Sequence, residues 1–189
     1  MAQVKKPEVR EAILLSAQHL FTEHGYLATT MATIARQSGV VAGNLYRYHR
    51  SKFELFFAVL RPWLDRQFDG LEARLSITPD PEARFRAILV FIWIELPRAE
   101  NRFLRNLAEA VASRRPEDSY SRETLEATRM RIEGLLACCL PPGTNRDDLA
   151  DITHMMLMAH DGIVLDTGLA DERTRVSRVI DRLARVTFG

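Results

Sequence analysis

The sequence predicts an all-α fold, and three observations carry that prediction. Apolar residues recur at spacings of three and four along nearly every segment, the period of helices packed on one side. Helix boundaries are punctuated: Ser51, Asp80-Pro81 and Asn145 are start signals, while Gly25, Gly39 and Pro141-Pro142-Gly143 are stops. The run Ile88 to Ile94 is apolar on every side and reads as strand or helix by period, but its capped start and the length of its segment favour a helix in the middle of a bundle. With 189 residues, 47% of them hydrophobic, the chain can bury a core in one large or two small domains.

The first helix carries Val9, Ile13, Ala17, Leu20 and Phe21 on one face and is expected to end at Gly25. Thr30 then caps a short helix whose apolar side is Ile34 and Ala35. Gly39 supplies a tight turn, and Val40 and Leu45 pin a second short helix back onto the first. That arrangement is a helix-turn-helix, and its second helix leaves Asn44, Tyr46, Arg47 and Tyr48 outward. Asparagine and arginine match the donor and acceptor edges of adenine and guanine in the major groove, and tyrosine hydroxyls suit phosphate oxygens. Double-stranded DNA is therefore the expected partner.

From Ser51 a long fourth helix keeps Phe53, Phe56, Phe57, Leu60, Leu64, Phe68, Leu71 and Leu75 on one face over about six turns. Asp80 and Pro81 open a helix to about Leu96, where Pro97 is expected to interrupt it and open another to about Arg114. The polar stretch Arg114 to Ser121 reads as a loop, followed by a helix ending near Leu140. Asn145 caps a helix with Asp147 and Asp148 in its first turn and a stripe of Leu149, Ile152, Met156, Ala159 and Ile163. After Gly168, Asp171 opens the last helix, striped by Val176, Val179, Ile180, Leu183 and Val186.

Charge is divided between the two ends of the chain. Through Lys52 there are seven basic side chains against three glutamates, a formal +4; the remainder carries 19 basic and 22 acidic groups, or −3. Attraction for phosphate is thus concentrated at the N-terminal end, and the acidic remainder disfavours a purely architectural DNA binder. Lys5 and Lys6 are not followed by the apolar region of a signal peptide, and Ile88 to Ile94 is too short to cross a bilayer, so the expected location is the cytoplasm with no membrane partner. Neither Gly-x-Ser-x-Gly, His-Glu-x-x-His nor a phosphate-cradling glycine loop occurs, so an enzyme is not expected. Cys138 and Cys139 are adjacent, which suits neither a disulfide framework nor a spaced zinc motif; reduced thiols are the default, and a thiol-based redox switch is the alternative.

The register from Leu20 to Leu55 is Leu-Phe-x-x-x-Gly-Tyr, then Thr-x-x-x-Ile-Ala-x-x-x-Gly-Val, then Gly-x-Leu-Tyr-x-Tyr-x-x-x-Lys-x-x-Leu. It resembles the N-terminal domain of the TetR family of bacterial transcriptional regulators. The resemblance implies a helix-turn-helix DNA-binding domain over residues 1–52 and a helical ligand-binding and dimerisation domain over 53–189. It also implies base-reading positions at Ala42, Gly43, Asn44 and Arg47, and phosphate contacts by Thr30, Tyr46, Tyr48 and Lys52. A homodimer formed by the last two helices is implied as well, with a repressor's release from a palindromic operator by a small apolar molecule. Two positions depart from the family pattern: Val41 stands where a Ser, Thr or Glu commonly caps the recognition helix, and His49 stands where Phe is usual, which favours a packed neutral ring.

Candidates for the small-molecule site are Trp63, Phe91, Trp93, Met130, Met155 and Met158, because aromatic and thioether groups line adaptable apolar pockets, although most such residues simply pack. His154 and Asp161, seven apart on one helix, are candidate polar anchors. Asp147, Asp151 and His154 share a face, but carboxylates near a helix N-terminus are favourable without a cation, and no metal or cofactor is expected.

Overall fold

The computed structural model describes residues 6–99, 103–116, 118, 123–165 and 172–189, and helix is the regular structure throughout them. The helices are α1 (Pro7–Ala28), α2 (Met31–Gln37), α3 (Ala42–Tyr48), α4 (Lys52–Ser76), α5 (Pro81–Val90), a π-helical segment (Phe91–Glu95), α6 (Leu96–Arg98), α7 (Phe103–Ala112), α8 (Glu123–Ala137), α9 (Arg146–Leu165) and α10 (Glu172–Phe188). They form two compact units, Met1–Leu64 with Glu100–Ser121, and Asp65–Ala99 with Arg122–Gly189. This division differs from the expected boundary after Lys52. The start of α4 belongs with the helix-turn-helix, and so does α7, which is encoded some way downstream.

The first unit is held by α1, α2, α3, the start of α4, and α7. Phe21 meets Phe56 edge-on at 5.3 Å and stacks on Tyr26 at 5.8 Å, and Phe103 of α7 reaches Phe56 at 6.2 Å and Trp63 at 5.1 Å. The main stretch of α1 stops at Gly25 as expected, at φ 81 and ψ 169, and a short helical stretch follows to Ala28. That backbone region is essentially restricted to glycine. Gly25→Ala is therefore expected to destabilise the protein by about 1–3 kcal/mol through backbone strain. Its Cβ would meet no atom closer than 3.6 Å, so a steric clash adds nothing. Thermal unfolding followed by circular dichroism checks this, and an unchanged midpoint would refute it.

In the second unit, Phe68 packs edge-on against Phe91 at 5.1 Å and Phe85 against Phe188 at 5.5 Å. Arg131 of α8 lies over the Phe68 ring and pairs with Asp69 and Glu72 of α4, each at 2.6 Å. Arg74 and Glu95 form a two-pronged pair at 2.9 and 2.7 Å. The helix opened by Asp80 passes through a π-helical turn and ends at Arg98, one residue past Pro97 and close to the expected end. In the π register the Leu96 amide donates to Phe91 O, which would make Pro97 the donor to Ile92 O. Proline has no N–H to give. The orphaned Ile92 carbonyl instead accepts from His160 Nδ1 at 2.7 Å, while Trp93 Nε1 donates to Met156 O at 2.9 Å, so two reciprocal bonds staple this segment to α9. Because a carbonyl can only accept, His160 carries its proton on Nδ1; burial holds its pKa below the ordinary histidine value.

Asn145 caps α9 as expected, its Oδ1 accepting from the Asp148 amide at 2.8 Å, whereas Asp171 lies outside the described residues. The expected stripes need correction. α9 turns Thr153, Met156, His160 and Val164 inward, and α10 turns Ile180 and Ala184 inward. Exposed instead are Met155, Met158, Ala159, Gly162 and Leu165 on α9 and Val179, Leu183 and Val186 on α10. The apolar period misses this because two polar residues sit on the buried side of α9, each satisfied by a backbone carbonyl: Thr153 by Leu149 O at 2.8 Å and His160 by Ile92 O. No helix among the described residues is long and apolar enough to cross a membrane.

Candidate nucleic-acid interface

The reader is α3, and its orientation is set by what it buries. Leu45 is 0% exposed, while Ala42, Gly43, Asn44, Tyr46 and Arg47 are all exposed. α2 starts on a reciprocal capping box: Thr30 Oγ1 accepts from the Thr33 amide at 3.1 Å and Thr33 Oγ1 from the Thr30 amide at 3.0 Å. Ser38 and Gly39, the latter at φ 68, turn the chain, and the Val40 amide donates to Ala35 O at 2.9 Å. Val41, 77% exposed, precedes α3 without a side-chain cap, so the first α3 amides face outward unsatisfied by Val41's side chain. Nothing lies within 4 Å of where a Cβ on Gly43 would be, so packing within the chain does not require glycine there.

Three of the other expected contact residues hold structure as well. The Tyr48 hydroxyl accepts from the Lys6 amide at 3.0 Å, tying the start of α1 to the reader. Thr30 is engaged in its cap. Lys52 donates to Tyr26 O at 2.7 Å and Thr29 O at 2.9 Å and stands 4.1 Å from the Tyr26 ring. Desolvation keeps its pKa below the usual lysine value. Two of the ammonium's three donors are thereby committed to carbonyls, so Lys52 is first a joint between α1 and α4. His49 is a buried ring at the base of the reader, with Nδ1 3.8 Å from Glu54 Oε1.

The small-molecule candidates are divided between the two units. Trp63 belongs to the first unit, packed on Phe103. Phe91 and Trp93 are buried in the second, against Phe68 and α9 respectively. Met130, Met155, Met158, His154 and Asp161 are exposed, Met155 and Met158 at 61% each. Cys138 is exposed and Cys139 buried, its thiol donating to Leu136 O at 3.3 Å; burial pushes its pKa up to about 11, which opposes the thiolate that redox exchange needs.

The sequence reading missed Asn106. Its Oδ1 accepts from the Tyr26 amide and its Nδ2 donates to Phe21 O, both at 2.9 Å, across the break at Gly25. The sign was available: Asn106 falls on the apolar stripe of α7, between Phe103 and Ala110, where a polar side chain needs a partner.

A compact helix-turn-helix unit presenting exposed asparagine and arginine from its second helix defines a DNA-binding regulator. The family model for bacterial regulatory proteins of the tetR family matches residues 13–59, from within α1 through the start of α4. The transcriptional repressor KstR2 of Mycobacterium tuberculosis is 30% identical over 142 residues, covering 74% of this chain and 70% of that protein. The transcriptional activator FasR of Mycolicibacterium smegmatis is 35% identical over 85 residues, covering 45% of this chain and 39% of the relative. The solved structure of the regulator FadR from Bacillus subtilis in complex with stearoyl-CoA superposes with a TM-score of 0.61 at 15% identity, over 94% of this chain and 96% of that one. The chain belongs to the TetR family of transcriptional regulators.

Proposed function

We propose that the protein is a homodimeric repressor that leaves a two-fold symmetric operator when a small, largely apolar molecule binds its second unit. The observation that carries this reading is α4: one helix, with Pro62 in its interior, has residues 52–64 in the unit that holds the reader and 65–76 in the other. A ligand that prefers one conformation of that helix biases the reader through this covalent connection. Repression is favoured by KstR2, a relative matched over most of its length, and an apolar effector by the stearoyl-CoA held by FadR. Asn44 and Arg47 read bases, with Ala42 and Gly43 allowing close approach; Thr30, Tyr46 and Tyr48 hold phosphates. Phe91 and Trp93 remain candidates for the effector site, whereas Met155 and Met158 are assigned to the interface between subunits.

Linkage makes the mechanism testable. An effector that weakens DNA binding must itself bind more weakly to the DNA complex, by the same factor, ordinarily about 5- to 150-fold. Hydrophobic metabolites and drugs are screened by thermal shift, and each hit is titrated against the protein alone and bound to DNA. Equal, reciprocal losses of affinity are expected. Tight ligands that leave DNA affinity untouched would refute inducer release while leaving the DNA reading intact.

A further inference from the structure

We infer that Asn106 is a positioning residue for DNA reading: it latches the corner from which the helix-turn-helix projects. This inference rests on α3 as the reader. The corner is the stretch from Leu20 to Thr30, where α1 breaks at Gly25 and hands over to α2. A broken helix leaves backbone groups without partners, and burial forbids water from satisfying them. One side chain resolves this from α7. The Asn106 carboxamide, 2% exposed, accepts from the Tyr26 amide after the break and donates to the Phe21 carbonyl before it, so both sides are joined through one rigid planar group.

Neighbouring bonds complete the corner. Thr29 Oγ1 donates to Gly25 O at 2.7 Å and Leu20 O at 3.1 Å, Lys52 donates to Tyr26 O and Thr29 O, and Glu109 of α7 accepts from the Leu27 amide at 3.4 Å. Thr30 follows at once as the cap of α2. The angle at which α2 and α3 leave the unit is therefore defined at this corner, and Asn106 is its one buried carboxamide tie to α7. An aliphatic side chain of similar volume fills the space but leaves an amide and a carbonyl unpaired. The corner then repacks, and α3 no longer meets successive base edges in register.

The test compares Asn106→Leu and Asn106→Asp with the parent protein as intact dimers. The probes are the best duplex recovered by selection from a random-sequence pool and a scrambled duplex. Asn106→Leu is expected to weaken the selected duplex by about tenfold, with less effect on the scrambled one, at a temperature where circular dichroism and light scattering report a folded dimer. Hydrogen exchange of the Tyr26 amide should accelerate while core amides of α4 stay protected. In Asn106→Asp a protonated carboxyl can both donate and accept as the amide does, so its deficit relative to the parent should shrink as pH falls. Parent-like affinity of Asn106→Leu for the selected duplex overturns the inference, as does a loss that only tracks global unfolding. Arg47→Ala is the control: if it binds normally while Asn106→Leu does not, Arg47 is not a base contact, whereas the dependence of DNA affinity on the Asn106 corner stands.

Discussion

Met158→Glu and Leu183→Glu are each expected to yield a folded monomer with DNA affinity reduced by about 10²- to 10⁴-fold, because two readers bound as one gain that much from being joined. Both side chains are exposed in the single chain, on the outward stripes of α9 and α10, so the subunit fold has no reason to resist the change. In a dimer that covers these stripes, the new carboxylate is stripped of water with no partner and costs several kcal/mol. Ile180→Glu makes the contrast. Ile180 is buried in its own subunit, so its variant is expected to unfold rather than dissociate. Light scattering gives the mass and circular dichroism the helicity; folded dimers from both Met158→Glu and Leu183→Glu would put the interface elsewhere.

That contrast marks where the sequence was legible. The Thr30 cap, the Gly39 turn and the buried Leu45 are local features, each decided by residues within a few positions, and the helix-turn-helix built on them appears where its pattern predicts. Long-range partners are another matter. Lys52 has the spacing of a phosphate contact, yet it bonds carbonyls 26 and 23 residues away, and a carbonyl acceptor carries no side-chain signature. Asn106 acts on backbone 80 and 85 residues away.

The C-terminal half was misread for a related reason. Apolar periodicity finds the buried side of a helix only when that side is apolar, and on α9 Thr153 and His160 occupy it. The helix ends at Arg98, within two residues of the expected end at Leu96, and the Ile92 carbonyl that Pro97 cannot serve takes its bond from His160, 68 residues away. The methionines assigned to a ligand pocket are flexible and apolar in either setting, so their residue type alone does not separate a pocket lining from a subunit interface.

On the proposed mechanism α3 reads bases, with Arg47 as its main anchor. A bidentate contact from arginine to guanine contributes about 1–3 kcal/mol of discrimination against the wrong base. It contributes almost nothing on sequences that lack the guanine, where the same side chain offers only a phosphate contact whose strength falls with salt. Arg47 is exposed on a helix whose Leu45 is buried, and circular dichroism of the Arg47→Ala variant checks that its fold is kept. The decisive measurement is a titration of Arg47→Ala and the parent protein, at one fixed salt concentration, against the selected symmetric duplex and a scrambled duplex of equal length. A loss of about 5- to 150-fold on the selected duplex, with a much smaller loss on the scrambled one, is the predicted result. Equal losses on both would contradict base reading and reduce Arg47 to a phosphate contact.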